Sequence, residues 1–143
     1  MNKIKFEKVS KSYSEGRSAL SEVSIELVEG EVTFLTGHSG AGKSSFLKLI
    51  MRNEFASNGT VSVNGVDLAS IKNRDLPYYR RSLGVVFQDH HLLMNRTVFD
   101  NVALPLSLIG LSDRVVMRRV RAALTTVGLE KYSMIRPYEL STG

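Results

Sequence analysis

The stretch "EVTFLTGHSGAGKSSFLKLI", residues 31–50, joins an apolar β-branched run to a glycine-rich loop and then to a run of helix-forming residues. This order predicts a buried strand over residues 31–36, a loop, and a helix. The segment 37–44 matches the pattern G-x-x-x-x-G-K-[ST] at every fixed position. The pattern is that of a phosphate-binding loop. The sequence therefore predicts an α/β fold of the P-loop class and a site for a nucleoside triphosphate.

The residue types of this loop suit an anion. Glycines let the backbone turn successive N–H groups toward a phosphate, and the following helix adds the positive end of its dipole. Lys43 is expected to reach the β- and γ-phosphates, and the Ser44 hydroxyl is expected to bind Mg²⁺. We expect contacts to the nucleotide from the whole loop: Gly37, His38, Ser39, Gly40, Ala41, Gly42, Lys43, Ser44 and Ser45.

Strands are predicted on both sides of this unit. Ile4, Phe6 and then Lys8 alternate with polar neighbours and are expected to share one face of a strand. A basic segment, "RDLPYYRRS", is predicted to be helical. Strands are predicted, from alternation or from a short apolar β-branched run, over 3–10, 22–27, 60–65 and 83–87.

Helix is predicted from residue 97 onward. Thr97, with Asp100 three residues later, has the spacing of a capping box. Ser112 is expected to cap the next helix, and Gly128 suits the end of that helix. One apolar stripe is predicted along this second helix, formed by Val116, Val120, Ala123, Leu124 and Val127.

Composition narrows the possible partners. The 143 residues contain no cysteine, which excludes disulfides and thiolate zinc sites, and the net charge is +5. Most of that excess lies between residues 112 and 136. Such a run indicates either a solvated helix face or an anionic partner, and we favour the solvated face and expect no nucleic acid. The longest apolar run is ten residues, too short to span a bilayer.

Further residues connect the loop to a family. Tyr13 lies upstream of the loop, Gln88 directly follows the apolar run 83–87, and the last four residues read "LSTG". Together with the loop, these features resemble the ATP-binding cassette (ABC) ATPases. The resemblance implies an ABC-type nucleotide-binding domain. Its expected parts are an N-terminal antiparallel β-subdomain with the phosphate-loop core over about residues 1–94, and a helical subdomain over about 95–143.

The resemblance also implies a role for each of these residues. Tyr13 would be the platform on which adenine stacks, and Gln88 would touch Mg²⁺ and the attacking water while relaying movement to a membrane partner. Ser141 and Gly143 would face the ATP held by a second copy of the chain. The implied activity is hydrolysis of ATP to ADP and phosphate, with ATP and Mg²⁺ bound.

The segments "KNRDLPYYRRSLGVVFQDHHLL" and "RTVFDNVALPL" are most similar to the bacterial cell-division branch of this family, the FtsE ATPases. That similarity implies an integral membrane partner of the FtsX type and a location on the cytoplasmic face of the inner membrane. The ATPases of lipoprotein-release and macrolide exporters are the alternative within the family. A truncated product that binds nucleotide without hydrolysing it is the alternative of a different functional class.

The sequence stops inside the signature motif, which the family usually completes as Leu-Ser-Gly-Gly-Gln. We expect a truncated domain whose Asp-Glu pair and switch histidine would lie beyond residue 143, so that hydrolysis by this chain stays an open question. Thr142 stands where the family commonly has glycine. We also expect the segments 31–36 and 83–87 to lack strand neighbours, which would make the isolated chain poorly soluble or molten.

Overall fold

The computed structural model describes residues 3–14, 16, 18–89 and 91–140. The chain separates into two compact units, Met1–Val85 and Val86–Gly143, and each has its own hydrophobic core. The division lies nearer to the N-terminus than the boundary expected near residue 94. The assignment of the two units to the family's subdomains stays a prediction.

The first unit contains a four-stranded antiparallel sheet. Its strands are β1 Lys3–Ser12, β2 Ser18–Val28, β3 Asn58–Val63 and β4 Val66–Asp67. β1 pairs with both β2 and β3, and β3 pairs with the short β4, which gives the order β2-β1-β3-β4. The predicted N-terminal antiparallel sheet is therefore confirmed.

A bulge in β1 changes which side chains face the core. Phe6 is 1% exposed and Val9 is 0% exposed, although they are three positions apart and strict alternation would place them on opposite faces. The register slips between these two positions, and Lys8 between them has a φ of 48°. The prediction that Lys8 shares a face with Ile4 and Phe6 was wrong, because one extra residue in a strand reverses the alternation of the residues after it.

The predicted helix after the glycine loop is confirmed as α1, Lys43–Ile50. It packs on the sheet through Phe46, whose ring stacks on that of Phe6 with 4.2 Å between centroids and 12° between planes. Leu49, one turn further, is 2% exposed. The contact fixes α1, and with it the loop that precedes α1, against the sheet. The buried cluster consists of Phe6, Val9, Leu20, Phe46, Leu49, Ile50, Val61 and Leu68.

The C-terminal end of α1 is closed by an arginine. Arg52 has a left-handed φ of 55°, and its N–H donates to the carbonyl of Leu49 at 3.0 Å. The next N–H, that of Asn53, donates to Lys48 at 2.9 Å, which completes a Schellman motif. The Arg52 side chain is buried, and its Nε donates to the carbonyl oxygen of Leu68 at 2.8 Å. This side chain therefore contributes to the core, unlike most arginines.

Helix α2, Leu76–Arg81, also holds the end of α1 and confirms the predicted helix in this region. The Tyr79 hydroxyl donates to the carbonyl oxygen of Ile50, and burial raises the pKa of Tyr79 to about 12. Arg80 donates from Nε to the carbonyl oxygen of Met51 at 3.1 Å. Free carbonyl groups at a helix end need such partners, and a cation there also complements the helix dipole.

Segments 31–36 and 83–87 were predicted to be buried strands, and both predictions were wrong. Neither segment belongs to a strand. Val32 is 82% exposed, Phe34 is 84% exposed and Val86 is 97% exposed. Their apolar, β-branched composition favours a strand, but a strand also requires a neighbour to pair with. No such neighbour pairs with them among the described residues.

The second unit is helical, with α3 at Val98–Leu108 and α4 at Asp113–Thr126. The predicted capping box of α3 is confirmed, because Thr97 Oγ1 accepts from the Asp100 N–H at 3.0 Å and Asp100 Oδ2 accepts from the Thr97 N–H at 3.2 Å. Ser112 precedes α4 as predicted, but its side chain makes no capping hydrogen bond. Gly128 has a φ of 72° and ends α4, also as predicted.

The core of this unit lies between α3 and α4. Val116, Val120 and Leu124 are buried there together with Val98. The predicted stripe was too wide, since Ala123 and Val127 are exposed. Both lie next to the buried residues of α4 and border a cavity of about 640 Å³. Within the described parts of the chain, no helix has the length and hydropathy to cross a bilayer.

Candidate nucleotide-binding site

Three glycines shape the loop between residue 36 and α1. Gly37, Gly40 and Gly42 have φ values of 149°, 83° and 89°. Residues with side chains rarely adopt such values, so the glycines of the sequence pattern stand where the backbone requires them. Gly42 is the N-cap of α1. It also passes so close to the backbone of Ala19 in β2 that no side chain would fit.

Lys43, the first residue of α1, folds back over the loop. Its Nζ donates to the carbonyl oxygens of Gly37 at 2.7 Å and His38 at 2.8 Å. His38 Nδ1 lies 2.7 Å from the carbonyl oxygen of Ser39, and the Ser44 side chain is exposed. These contacts place the lysine ammonium group at the inner edge of the loop, where the sequence predicts the phosphates.

A cavity of about 560 Å³ opens beside the loop. It is bordered by Tyr13 as well as by loop residues, so the structure brings the predicted adenine platform and the predicted phosphate site together. Ser18 and Ala19 of β2 complete the lining and were missed from the sequence. The predicted residues that line it are Tyr13, Ser39, Gly40, Gly42, Lys43, Ser44 and Ser45. Gly37, His38 and Ala41 belong to the same loop but do not line the cavity.

Tyr13 is attached to α1 and to the segment that follows it. Its hydroxyl lies 3.0 Å from Ser45 Oγ and donates to Glu54 Oε1 at 3.1 Å. A phenol has one hydrogen, so Ser45 donates to Tyr13 while Tyr13 donates to Glu54. Sequence reasoning missed Glu54, because no motif connects it with a tyrosine 41 positions earlier.

Glu54 is also the centre of a small charge cluster. Lys11 Nζ lies 2.7 Å from Glu54 Oε2, and Lys48 Nζ lies 3.6 Å from Oε1. Only 13% of the Lys11 side chain and 22% of the Glu54 side chain are exposed. The hydrogen bond from Lys11 holds the pKa of Glu54 below its ordinary value of 4.5, against the opposing effect of partial burial. The carboxylate is therefore charged at neutral pH.

The roles of the remaining predicted site residues stay predictions. Gln88 belongs to the second unit, where its side chain is exposed, and its role stays a prediction. Ser141 and Gly143 lie outside the described residues. No cluster of three or more His, Asp or Glu side chains suited to a metal ion occurs in the part of the chain that the structure describes.

Comparison with known proteins places this site in a family. Residues 20–143 match the ABC transporter family. The chain is 52% identical over 140 residues to the cell division ATP-binding protein FtsE of Escherichia coli (strain K12), with 98% of the chain and 63% of the relative covered. It is 42% identical to the FtsE protein of Bacillus subtilis (strain 168), again over 98% of the chain, with 61% of the relative covered.

Solved structures agree with the sequence comparison. The dimeric structure of MJ0796, a bacterial ABC transporter cassette, superposes with a TM-score of 0.86 at 30% identity, covering 97% of this chain and 63% of that one. The same cassette in a dimeric post-hydrolysis state, bound to ADP and Pi, gives a TM-score of 0.84 at 29% identity, with coverages of 96% and 63%.

The chain thus spans less than two thirds of the length of these relatives. The part that it spans includes the glycine loop, Lys43 and the helix that begins there. The family match covers most of the chain, and the fold and loop geometry agree with it. The chain therefore belongs to the ABC transporter family.

Proposed function

We propose that this chain is the ATP-binding part of an FtsE-type complex that acts in bacterial cell division. The observation that carries the proposal is the cavity that joins Tyr13 to the loop around Lys43. Its two ends suit the two ends of ATP, an aromatic ring for the base and a glycine loop with a lysine for the phosphates. The 52% identity to a cell division ATP-binding protein supports the cellular role.

The residues of the loop fit a triphosphate. The left-handed backbone at Gly40 and Gly42 is of the kind that turns neighbouring N–H groups toward one anion. Lys43 adds a charged donor whose Nζ already contacts loop oxygens. Charge-assisted hydrogen bonds of this kind are the strong ones in proteins. No acidic side chain occurs in the first turn of α1 to oppose the anion.

Mg²⁺ would be held by the side chain of Ser44. The hydroxyl of Ser44 is exposed beside the loop, and an oxygen ligand is what Mg²⁺ prefers. The ion would neutralise charge on the phosphates when bound. Ser44 and Lys43 are adjacent in α1, so one short stretch of chain serves both the metal and the phosphates.

Assembly with other proteins is the second part of the proposal. We propose that two copies bind ATP between them, with Ser141 and Gly143 of one copy facing the phosphates on Lys43 of the other. The dimeric MJ0796 cassettes support this arrangement. The dimer would sit at the cytoplasmic face of the inner membrane through an FtsX-type integral membrane protein. Hydrolysis of ATP by the whole protein would drive movement of that partner.

ATP binding is tested by calorimetric titration of the full chain with Mg-ATP. Lys43→Ala removes the charged donor of the loop, and we expect the dissociation constant to rise about a hundredfold. Lys72→Ala is the matched control, because Lys72 is an exposed lysine of the same unit and does not line the cavity. Equal affinity of the wild-type chain and Lys43→Ala would contradict the proposal.

The partner is tested by co-expression with one membrane protein at a time. We expect stable co-purification with an FtsX-type protein from the same genome and none with the permease of a lipoprotein-release or macrolide exporter. Selective co-purification with an exporter permease would move the protein to that branch of the family while leaving ATP binding unaffected.

A further inference from the structure

We infer that Glu54 is a positioning residue that fixes the ring of Tyr13 at a set distance from the phosphate loop. The inference rests on the proposed function, since it concerns how the same cavity recognises the base of ATP. Glu54 does not line that cavity. It acts through the tyrosine, and its effect is therefore expected only on ligands that carry a base.

The first support is the double attachment of the Tyr13 hydroxyl. Ser45 Oγ lies 3.0 Å from it and Glu54 Oε1 lies 3.1 Å from it. A hydroxyl held by two partners leaves the ring little freedom to swing. Phenylalanine would provide the same ring without either hydrogen bond, so the structure uses a property that only tyrosine has.

The second support is where the two anchors lie in the chain. Ser45 is in the first turn of α1, two residues after Lys43, and is buried. Glu54 follows the C-terminal end of the same helix. The helix that carries the phosphate-binding lysine therefore carries one attachment of the base platform, and the segment that leaves its C-terminal end carries the other. The distance between the two ends of the ligand site is set by this packed helix and the segment that follows it.

The third support is the position of Lys11. Its Nζ contacts Glu54 Oε2 at 2.7 Å, donates to the carbonyl oxygen of Phe55 at 3.0 Å, and lies 4.9 Å from the centroid of the Tyr13 ring. One face of the ring is therefore covered by an ammonium group that Glu54 holds. Adenine would stack on the opposite face. A pair this little exposed is screened less than a surface pair.

The test compares two ligands, ATP and inorganic tripolyphosphate, both with Mg²⁺, on the full chain. Tripolyphosphate has the phosphates and lacks the base. Glu54→Ala is expected to weaken ATP binding about three- to tenfold, a fraction of what base stacking on an aromatic ring contributes. The affinity for tripolyphosphate should not change. Glu7→Gln is the control. It removes the carboxylate of another ion pair, the exposed one between Lys5 and Glu7 in β1, which does not line the cavity.

A double-mutant cycle with Tyr13→Phe shows whether Glu54 acts through the hydroxyl. Tyr13→Phe alone is expected to weaken ATP binding by a similar factor, and adding Glu54→Ala to it should change little more. Additive effects would overturn the inference, as would an equal loss of affinity for ATP and tripolyphosphate. Should Glu54→Ala unfold the chain, Glu54→Leu has a similar size and offers no acceptor to the Tyr13 hydroxyl, and the same comparison of ligands applies to it.

Failure of the proposed function gives a different result. A wild-type chain that binds neither ATP nor tripolyphosphate would refute the nucleotide site and the positioning role together. A wild-type chain that binds ATP more tightly than tripolyphosphate, with Glu54→Ala and Glu54→Leu indistinguishable from it, would refute only the role of Glu54.

Discussion

A side chain on Gly42 would collide with the carbonyl group of Ala19. A Cβ built there would lie 2.1 Å from the Ala19 oxygen, far inside any real contact. Gly42 is at once the N-cap of α1 and the point where the phosphate loop passes over β2. Both the loop conformation and the close approach to β2 therefore require glycine at position 42.

Gly42→Ala should therefore be among the most destabilising changes in the loop. The left-handed backbone costs about 1–2 kcal/mol for a residue with a side chain, and the clash adds about 1–3 kcal/mol. Gly40→Ala is the control, because Gly40 has a similar φ of 83° with nothing within 4 Å of a Cβ. Urea unfolding followed by circular dichroism measures both. Equal losses would show that only backbone strain matters at these positions.

Truncation of Phe46 should cost much more stability than truncation of Phe34. Phe46 is 6% exposed and stacks on Phe6, whereas Phe34 is 84% exposed. Phe46→Ala is expected to lower the free energy of unfolding by about 3–5 kcal/mol, and Phe34→Ala by no more than about 0.5 kcal/mol. A large loss from Phe34→Ala would mean that residues 31–36 are buried after all, as their sequence indicated.

The ionisation of Glu54 should make the free energy of unfolding depend on pH in the acidic range. The pKa of Glu54 in the folded chain is lower than its ordinary value of 4.5, chiefly through the hydrogen bond from Lys11. Its contribution is therefore complete above pH 4.5 and is lost as the pH falls through the lower folded value. We expect the stability difference between wild type and Glu54→Gln to shrink below pH 4.5.

Lys11→Met is the matched variant for this experiment. It removes the main cause of the lowered pKa of Glu54. In the Lys11→Met background, the effect of Glu54→Gln on stability should therefore depend much less on pH. Titration of the unfolding midpoint from about pH 7 to about pH 3 measures both effects. A difference that stays constant over this whole range in the wild-type background would contradict the assignment of the shift to Glu54.

Thr97 and Ser112 provide a matched pair of helix caps. Both precede a helix, but only Thr97 accepts a hydrogen bond from the backbone, from the N–H of Asp100 at 3.0 Å. Thr97→Ala should cost about 1 kcal/mol of stability, and Ser112→Ala should cost clearly less. Thermal unfolding of the two variants tests this. The reverse order would mean that the Ser112 hydroxyl finds a partner in solution.

The loop and its helix could be predicted from the sequence because their determinants are local. Glycine positions, Lys43 and the capping box at Thr97 all act within a few residues. Segments 31–36 and 83–87 could not be predicted, since a strand depends on a partner elsewhere and not on its own composition. The bulge at Lys8 was missed for the same reason, because it depends on how β1 pairs with its two neighbouring strands.

The site was predicted only in part. The position of Tyr13 followed from a family resemblance, but its anchors at Ser45 and Glu54 lie 32 and 41 positions away and no pattern connects them. Lys11 belongs to no motif that would single it out in the sequence. Side-chain partnerships across such separations depend on packing, which the sequence does not display.

The central place of β1 has a consequence for how the first unit opens. β1 is hydrogen-bonded on both sides, while β2 lies at an edge and residues 31–36 belong to no strand. We expect the amide hydrogens of β1 around Phe6 to exchange with solvent only when the sheet separates, and those of residues 32–36 to exchange from the native chain. Among the described residues of the first unit, the segment that leads into the phosphate loop is therefore expected to take up deuterium well before the strand that packs under α1.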